Sequence, residues 1–495
     1  MLDGSGSGKS SAYSIPNAYQ CLGSYIFTDP KGELYDQTAG YLKSKGYEIK
    51  VLNLVHPQYS DGYNPLMHIS SELDVDVIAN TIIKGQSAEG KSDPYWDDMA
   101  EMLLKALIYY LIATRPDEEQ NLASCAELVR AANANGGSNL LTDLINQLPY
   151  DHPARMYYKS IEIAPEKTYG SILSTLQSKL GKFDSKEIAE LTSTDTIDFE
   201  AIGKKKTAVY VISSDTHTAY DFLLTIFFSQ MIQQLYDFAD NNGGKLGIPT
   251  FFILDEFANI GKIPDFDKKI STSRSRKISF SVILQNLDQL EAVYEKSYET
   301  IIGNCDTHVF LGSNSQKTVE YFSKALGEKT ISRDNISVNR DKKNEKQGKS
   351  ISDQIMARAL LTPDELRRFD NDYCIIFEKG VKPIKAKKFY YFTKPMAKKL
   401  QDLAISHNDI GDIERGVWRK YNPYNPYVED TEKAPVQDLK VESLDDLFED
   451  DNNEEVEDKI KDAPVLPQED ENEIDIQKEL EAKFDELFGP MDDDE

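Results

Sequence analysis

Short apolar runs recur along the chain, each stopped by turn residues and separated from the next by a stretch of helical length. The first two are "SYIFTDPKGE" at 24–33 and "YEIKVLNL" at 47–54; "KTAVYVIS", "PTFFILDEF", "ISFSVILQ" and "THVFLG" follow later. Such near-continuous runs read as strands buried on both faces, and strands alternating with helices predict one open parallel sheet in an α/β fold. Residues 61–200 break the alternation: they are mostly helical in period, with "DDMAEMLLKALIYYLIA" at 97–113 the most apolar helix and Asn135-Gly136-Gly137 a clear stop. "YCIIFEKGVKPIKAKKFYYF" at 373–392 predicts a terminal hairpin. The pattern is a sheet with a helical insertion.

After Tyr427 the apolar periodicity ends. Residues 429–495 hold 28 acids and six lysines, so most of the net charge of −28 lies in this tail. A segment so acidic and so poor in apolar residues does not offset the entropy of ordering, and an acidic disordered tail is expected at 428–495. Within it "LDDLF" at 444–448 and "FDELF" at 484–488 each put apolar residues on one face of a single helical turn, the form of a short docking motif. Because the first 428 residues carry little net charge, the acidic average does not exclude nucleic acid.

The four cysteines, Cys21, Cys125, Cys305 and Cys374, form no CxxC pair, and the six histidines show no ligand spacing. A reducing compartment without structural zinc follows. The longest apolar segments, Met99–Ala113 and Phe222–Ile232, are shorter than a membrane span or carry polar residues, and no signal peptide opens the chain. As given, the chain is expected to be soluble and cytoplasmic.

Candidate chemistry begins at Gly4-Ser5-Gly6-Ser7-Gly8-Lys9-Ser10-Ser11. In a phosphate loop, small residues let successive N–H groups face phosphate oxygens, the lysine reaches the outer phosphates and the hydroxyl binds Mg²⁺. All of these are present except the first glycine, which is Asp3. "TFFILDEFANIG" at 250–261 places Asp255-Glu256 after an apolar strand, where a P-loop NTPase holds its metal (Asp255, with Ser10) and polarises the attacking water (Glu256). "FSVILQ" ends on Gln285, the position of a terminal-phosphate sensor, and "STSRSRKIS" offers Arg274 or Arg276 as an arginine finger. "TDPKGEL" is expected to end the strand beside the phosphate-loop strand, with Asp29, Lys31 and Glu33 bordering the site.

Taken in series, "GSGSGKS", "TDPKGEL", "YNPL", "LDEFANIGKIPDF", "SRSRKISFSVILQNLDQLEAVY" and "IIGNCDTHVFLGSNSQKTVEYFSKALG" resemble the TraG/VirD-type coupling proteins of conjugative type IV secretion, in the branch of Gram-positive mobile elements, over residues 3–395. The resemblance implies a hexameric RecA-like P-loop ATPase at the inner membrane face. Such a motor hands relaxase-bound single-stranded DNA to type IV secretion channel proteins. It further implies ATP and Mg²⁺ at Lys9 and Ser10, metal and water at Asp255 and Glu256, Arg274 as the finger and Gln285 as the sensor. Under it the domains are 1–114 and 181–427 for the nucleotide-binding fold, 115–180 for an all-helical domain facing the channel, and 428–495 for the tail. The family also implies transmembrane helices and a strand leading into the loop. Neither precedes Gly4 here, so a shortened reading frame is expected, its loop held less firmly.

For DNA, lysines interleaved with aromatics on mobile loops are sought. Residues 379–399 hold eight lysines, no acid, and Phe389, Tyr390, Tyr391 and Phe392; residues 329–349 hold seven basic residues against three acids, and "GKKK" at 203–206 is weaker. Two functions therefore compete: an ATP-driven DNA-transfer motor, and a truncated, non-hydrolysing fragment that docks relaxase or channel components. A chromosome-segregation translocase of the same class would need a C-terminal DNA reader, for which the tail is a poor match.

Overall fold

The six apolar runs all become strands, and the chain starts with a seventh. In order they are β1 (Leu2–Asp3), β2 (Ser24–Thr28), β3 (Glu48–Asn53), β4 (Thr207–Ile212), β5 (Thr250–Leu254), β6 (Ile278–Val282) and β7 (Thr307–Gly312). Two hairpins follow, β8 (Glu328–Asn339) with β9 (Gly348–Ala359), and β10 (Tyr373–Glu378) with β11 (Ile384–Lys387). The computed structural model describes residues 1–3, 8–84, 94–132, 139–214, 220–339, 348–411, 413–424 and 426. All lie in one body, Met1–Tyr427. The acidic tail with its two docking turns, the break at Asn135-Gly136-Gly137, and Gly4, Ser5, Gly6 and Ser7 of the phosphate loop lie outside the described residues.

Strands β3-β4-β2-β5-β6 form a wholly parallel sheet in that order. β1 pairs in parallel with β7, Leu2 opposite Phe310 and Asp3 opposite Gly312, while Leu2 also bridges Leu284 just past β6. The Met1 amino group donates to the Val282 carbonyl at 2.6 Å and Leu284 N–H donates to the Met1 carbonyl at 3.0 Å. β1 therefore stitches β6 to β7, and β7 continues antiparallel into β10 and β11.

This order corrects two expectations. The phosphate loop does have an entering strand, Leu2–Asp3, which is marked by ladder pairing to two neighbours rather than by an apolar run. And the strand ending in "TDPKGEL" is not its neighbour, since β2 lies between β4 and β5, with β5 and β6 separating it from β1.

Alternation along the strands fills two cores. Tyr25, Phe27, Tyr210 and Ile212 face one side with Ile15, Leu34 and Leu42; Ile26, Val209, Val211 and Phe252 face the other with Ile78, Phe227 and Ile232. Phe27 is fully buried and stacks on Tyr210 at 5.0 Å. Burying such a ring contributes about 2–3 kcal/mol, and the stacking about 1 kcal/mol more.

Between β3 and β4 the described residues contain no strand, and helices run from Glu72 to Lys204. Pro94–Thr114 is the longest of them, with Leu103, Leu104, Leu107, Ile108 and Leu111 fully buried. Among the described residues no helix is long and apolar enough to cross a membrane. Near the end of the described chain a strap returns over the body. Arg415 donates to the carbonyls of Ser60 and Pro57, and Tyr421 is buried with its ring 4.3 Å from the Arg115 guanidinium.

The basic stretch 329–349, sought as a loop, falls largely in the β8–β9 hairpin, twelve register pairs long and a sheet of its own. Thr330, Ile331, Ile336 and Val338 on one arm and Ile351 and Ile355 on the other are β-branched residues, which favour strands.

Candidate nucleotide-binding site

Lys9 follows Gly8 at the start of a wide helical turn, Ser10–Ser14, which continues into the helix Ile15–Tyr19. Gly8 has φ +89°, a conformation that strains any residue with a Cβ, and its carbonyl accepts from Ala12 N–H at 2.7 Å and Ser11 Oγ at 3.2 Å. A Cβ on Gly8 would stand 2.8 Å from the Tyr390 ring. The aromatic run sought as a DNA contact thus leans on the phosphate loop. Within the same stretch Lys388 is buried, with Nζ donating to the Leu311 carbonyl and Asn371 Oδ1, both at 3.0 Å.

The carboxyl end of β5 brings two acids to this lysine, and the chain leaving β6 brings an amide. Lys9 Nζ lies 2.8 Å from Asp255 Oδ1 and also pairs with Glu256 Oε1, to which Gln285 Nε2 donates at 2.9 Å. Asp255 is positioned from two sides: its carbonyl accepts from Thr28 Oγ1 at 2.7 Å, and its Oδ1 accepts from Glu256 N–H at 2.9 Å. Glu256 adopts φ +50°, a left-handed turn that is costly for a non-glycine residue, and it swings the second carboxylate back toward Lys9. Residues more than 240 positions apart thus form one cluster.

Burial alone would lower the Lys9 pKa, but the attraction of Asp255 and hydrogen bonds to both carboxylates outweigh it, and the ammonium is held charged. Burial pushes the Asp255 carboxyl above its ordinary range, only partly offset by Lys9. The two shifts pull opposite ways on one pair. We hold to the charged lysine, because two carboxylates share one cation.

Asp29 sits at the end of β2, 3% exposed, and its Oδ2 accepts from Tyr35 N–H at 2.8 Å at the start of helix Glu33–Ser44. Burial raises its carboxyl to about 7. It accepts from the first turn of that helix. Lys31 and Glu33 flank Gly32, whose φ is +73° and whose Cβ would fall 2.5 Å from the His407 ring. That turn is shaped by packing against the returning chain.

Arg274 is not brought to the cluster. It precedes β6, at the amino end of a strand whose carboxyl end carries the site, roughly 16 Å away at about 3.3 Å per residue. Its side chain is 94% exposed, with Asp306 Oδ2 at 4.0 Å. Arg276 is engaged within the body: it forms a two-pronged pair with Asp240 at 2.9 and 2.8 Å and stacks on Tyr236. Of the two arginines, only Arg274 reaches outward.

Sequence reasoning missed Thr28, a hydroxyl at a strand end, and Tyr390, whose place beside Gly8 has no local signal. Among the described residues no three His, Cys, Asp or Glu side chains gather as a metal cage. The Asp255 carboxylate is an oxygen donor of the kind Mg²⁺ takes along with waters and phosphate oxygens. Chemically, a charged lysine beside two carboxylates, one of them held by an amide, is an arrangement for binding a polyphosphate and orienting water.

The family model described as Type IV secretory system Conjugative DNA transfer matches residues 1–410. Protein VirD4 of Rhizobium rhizogenes is 25% identical over 418 residues, 80% of this chain and 59% of that protein. A conjugal transfer protein TraG of Escherichia coli is 25% identical over 427 residues, 79% of this chain and 66% of that protein. The chain thus spans less than two thirds of the length of these curated relatives. Among solved structures, the bacterial conjugative coupling protein TrwBdeltaN70 in its unbound monoclinic form aligns with TM-score 0.56 at 17% identity, covering 78% of this chain and 83% of that one. Plasmid coupling protein TrwB in complex with the non-hydrolysable ATP analogue ADPNP aligns with TM-score 0.55 at 15% identity, covering 79% and 84%. The fold is that of these coupling proteins.

Proposed function

The chain belongs to the type IV secretory conjugative DNA-transfer family, and on that footing we propose that it is the ATPase of a conjugative coupling machine, moving relaxase-bound single-stranded DNA toward a type IV secretion channel. The observation that carries this reading is the Lys9, Asp255, Glu256 and Gln285 cluster at the carboxyl ends of β5 and β6. A nucleotide's outer phosphates would draw Lys9 away from the carboxylates. Asp255 and Ser10 would then hold Mg²⁺, and Glu256, released from Lys9, would accept a proton from the attacking water. Gln285, already bonded to Glu256, is placed to sense the change when phosphate leaves. TrwB, which shares this fold, has been solved with an ATP analogue, in keeping with nucleotide at this end of the sheet.

In the same reading Arg274 acts on a neighbouring subunit of a hexamer, residues 115–180 form the helical domain turned to the channel, and the protein works at the cytoplasmic face of the membrane. The loop's entering strand weakens one of the two grounds for a non-hydrolysing fragment, and Asp3 in place of the first glycine is the other. Steady-state ATP hydrolysis with and without single-stranded DNA, beside Lys9→Ala and Glu256→Gln, tests it. Loss of turnover in both variants, with nucleotide binding kept in Glu256→Gln, is expected. Hydrolysis that survives Lys9→Ala would sink the proposal.

A further inference from the structure

The sheet order gives a bound triphosphate a direction. β5 and β6 lie on one side of β1, and β7, β10 and β11 on the other. Lys9 Nζ reaches Asp255 and Glu256 on the first side, where Gln285 joins them, so the reacting outer phosphate belongs there. The inner phosphate, the ribose and the base then extend from the loop away from those acids.

The chain that arrives from the far side is aromatic. β11 runs to the carboxyl edge of the sheet: Lys387 lies opposite Tyr373, and Lys388 Nζ donates to the Leu311 carbonyl at 3.0 Å. Phe389, Tyr390, Tyr391 and Phe392 follow at once. Tyr390 Cε1 is 2.8 Å from where a Gly8 Cβ would stand, and the Tyr390 ring stacks on Phe392, with centroids 5.2 Å apart and planes 27° from parallel. The turn is pinned on three sides. Tyr390 Oη donates to the Asn371 carbonyl at 3.2 Å, Thr393 Oγ1 to the Tyr390 carbonyl at 2.8 Å, and Tyr391 Oη to Gln37 Oε1 at 3.3 Å. Phe392 is nevertheless 58% exposed. A ring held this firmly by its neighbours, open to solvent and one ring removed from the phosphate loop, is a preset flat surface rather than a core residue.

We propose that Phe392, backed by Tyr390, is the stacking platform for the base of the bound nucleotide. The proposal rests on the nucleotide-site reading above and adds to it the recognition of the base. Every base has a π face, so such a platform selects for the presence of a base more than for its identity, and one ring contact of this kind is worth about tenfold in affinity. It also gives part of the aromatic run a ligand other than DNA.

The test is calorimetric titration of the whole chain, with Mg²⁺ present, by the non-hydrolysable analogue ADPNP and by ribose triphosphate, which carries phosphates and sugar but no base. Wild type should bind ADPNP about tenfold more tightly, or better, than ribose triphosphate. Phe392→Leu, which keeps the apolar bulk and loses the ring, should weaken ADPNP about tenfold and leave ribose triphosphate unchanged, whereas Phe392→Trp should keep wild-type affinity for both. Unchanged ADPNP affinity in Phe392→Leu overturns the proposal while leaving the nucleotide site standing. Equal weakening of both ligands also overturns it, because a disturbed phosphate loop rather than a lost stack would be the cause. If wild type binds neither ligand, the nucleotide-site reading itself fails and the proposal falls with it.

Discussion

Replacing Asp29 by asparagine tests how the buried end of β2 responds to pH. The carboxyl is 3% exposed and burial raises it to about 7, with hydrogen bonds from the Tyr35 and Leu34 amides pulling the other way. In the unfolded chain the same group titrates near its ordinary value of 3.8. Between these values the folded state holds a proton that the unfolded state has released, so stability falls as pH rises through the window. At about 1.4 kcal/mol per unit, the loss between pH 5 and pH 8 is roughly 2–3 kcal/mol. An asparagine side chain keeps an oxygen for the Tyr35 amide and cannot ionise, so the variant should lack this component. Urea unfolding at pH 5, 6.5 and 8 measures it as a difference between wild type and variant, which cancels every other titrating group. Asp29→Asn is expected to be near neutral at pH 5 and stabilising by about 2 kcal/mol or more at pH 8. A constant difference across the range would refute the argument, because it would mean that Asp29 is ionised in the folded protein throughout.

Gly8→Ala should weaken nucleotide binding about tenfold or more through left-handed strain and the Tyr390 contact, and Tyr390→Ala in the same chain should restore part but not all of it in an equilibrium titration; full rescue would show that strain plays no part. Gly32→Ala, driven against the His407 ring from a positive φ, should destabilise by about 2 kcal/mol or more in urea unfolding, and an unchanged midpoint would contradict the packing described. Arg276→Ala should lower the unfolding midpoint, since it severs the pair with Asp240 and the stack on Tyr236, while Arg274→Ala should leave stability unchanged and reduce hydrolysis only under conditions of assembly. A monomer-only effect of Arg274→Ala on turnover would argue against its acting on a neighbour.

Most of the sheet was legible because parallel strands buried on both faces must be apolar at nearly every position, as Tyr25-Ile26-Phe27 and Phe251-Phe252-Ile253-Leu254 are. β1 was not, because Leu2 and Asp3 are a strand only by virtue of Leu284 and Phe310, far away in sequence. The β8–β9 hairpin escaped for another reason: "EKTISRDNISVN" scatters Ile331, Ile336 and Val338 among polar and charged residues, so its period carries no hydrophobic signal. At the site, Lys9, Asp255, Glu256 and Gln285 stand in recognisable local patterns, and the fold brings them within bonding distance. Thr28 and Tyr390 stand in none. Tyr390 lies among lysines and aromatics that read equally well as a surface for nucleic acid, and only the return of the chain from β11 decides where it rests.

The stitch made by β1 also has a consequence in time. Leu2 leaves the ribosome long before its two ladder partners, Leu284 and Phe310, which are among the later residues of the folded body. At a synthesis rate of about 5–20 residues per second, roughly 15–60 s separate their appearance. Until Leu284 and Phe310 are made, β1 has no ladder partners, although Asp255 and Glu256 have already been synthesised. A nascent chain stalled short of β7 therefore carries Lys9, Asp255, Glu256 and Gln285 but has no β7 against which β1 can be held, so its first strand lacks one of the two ladders that fix it in the finished fold.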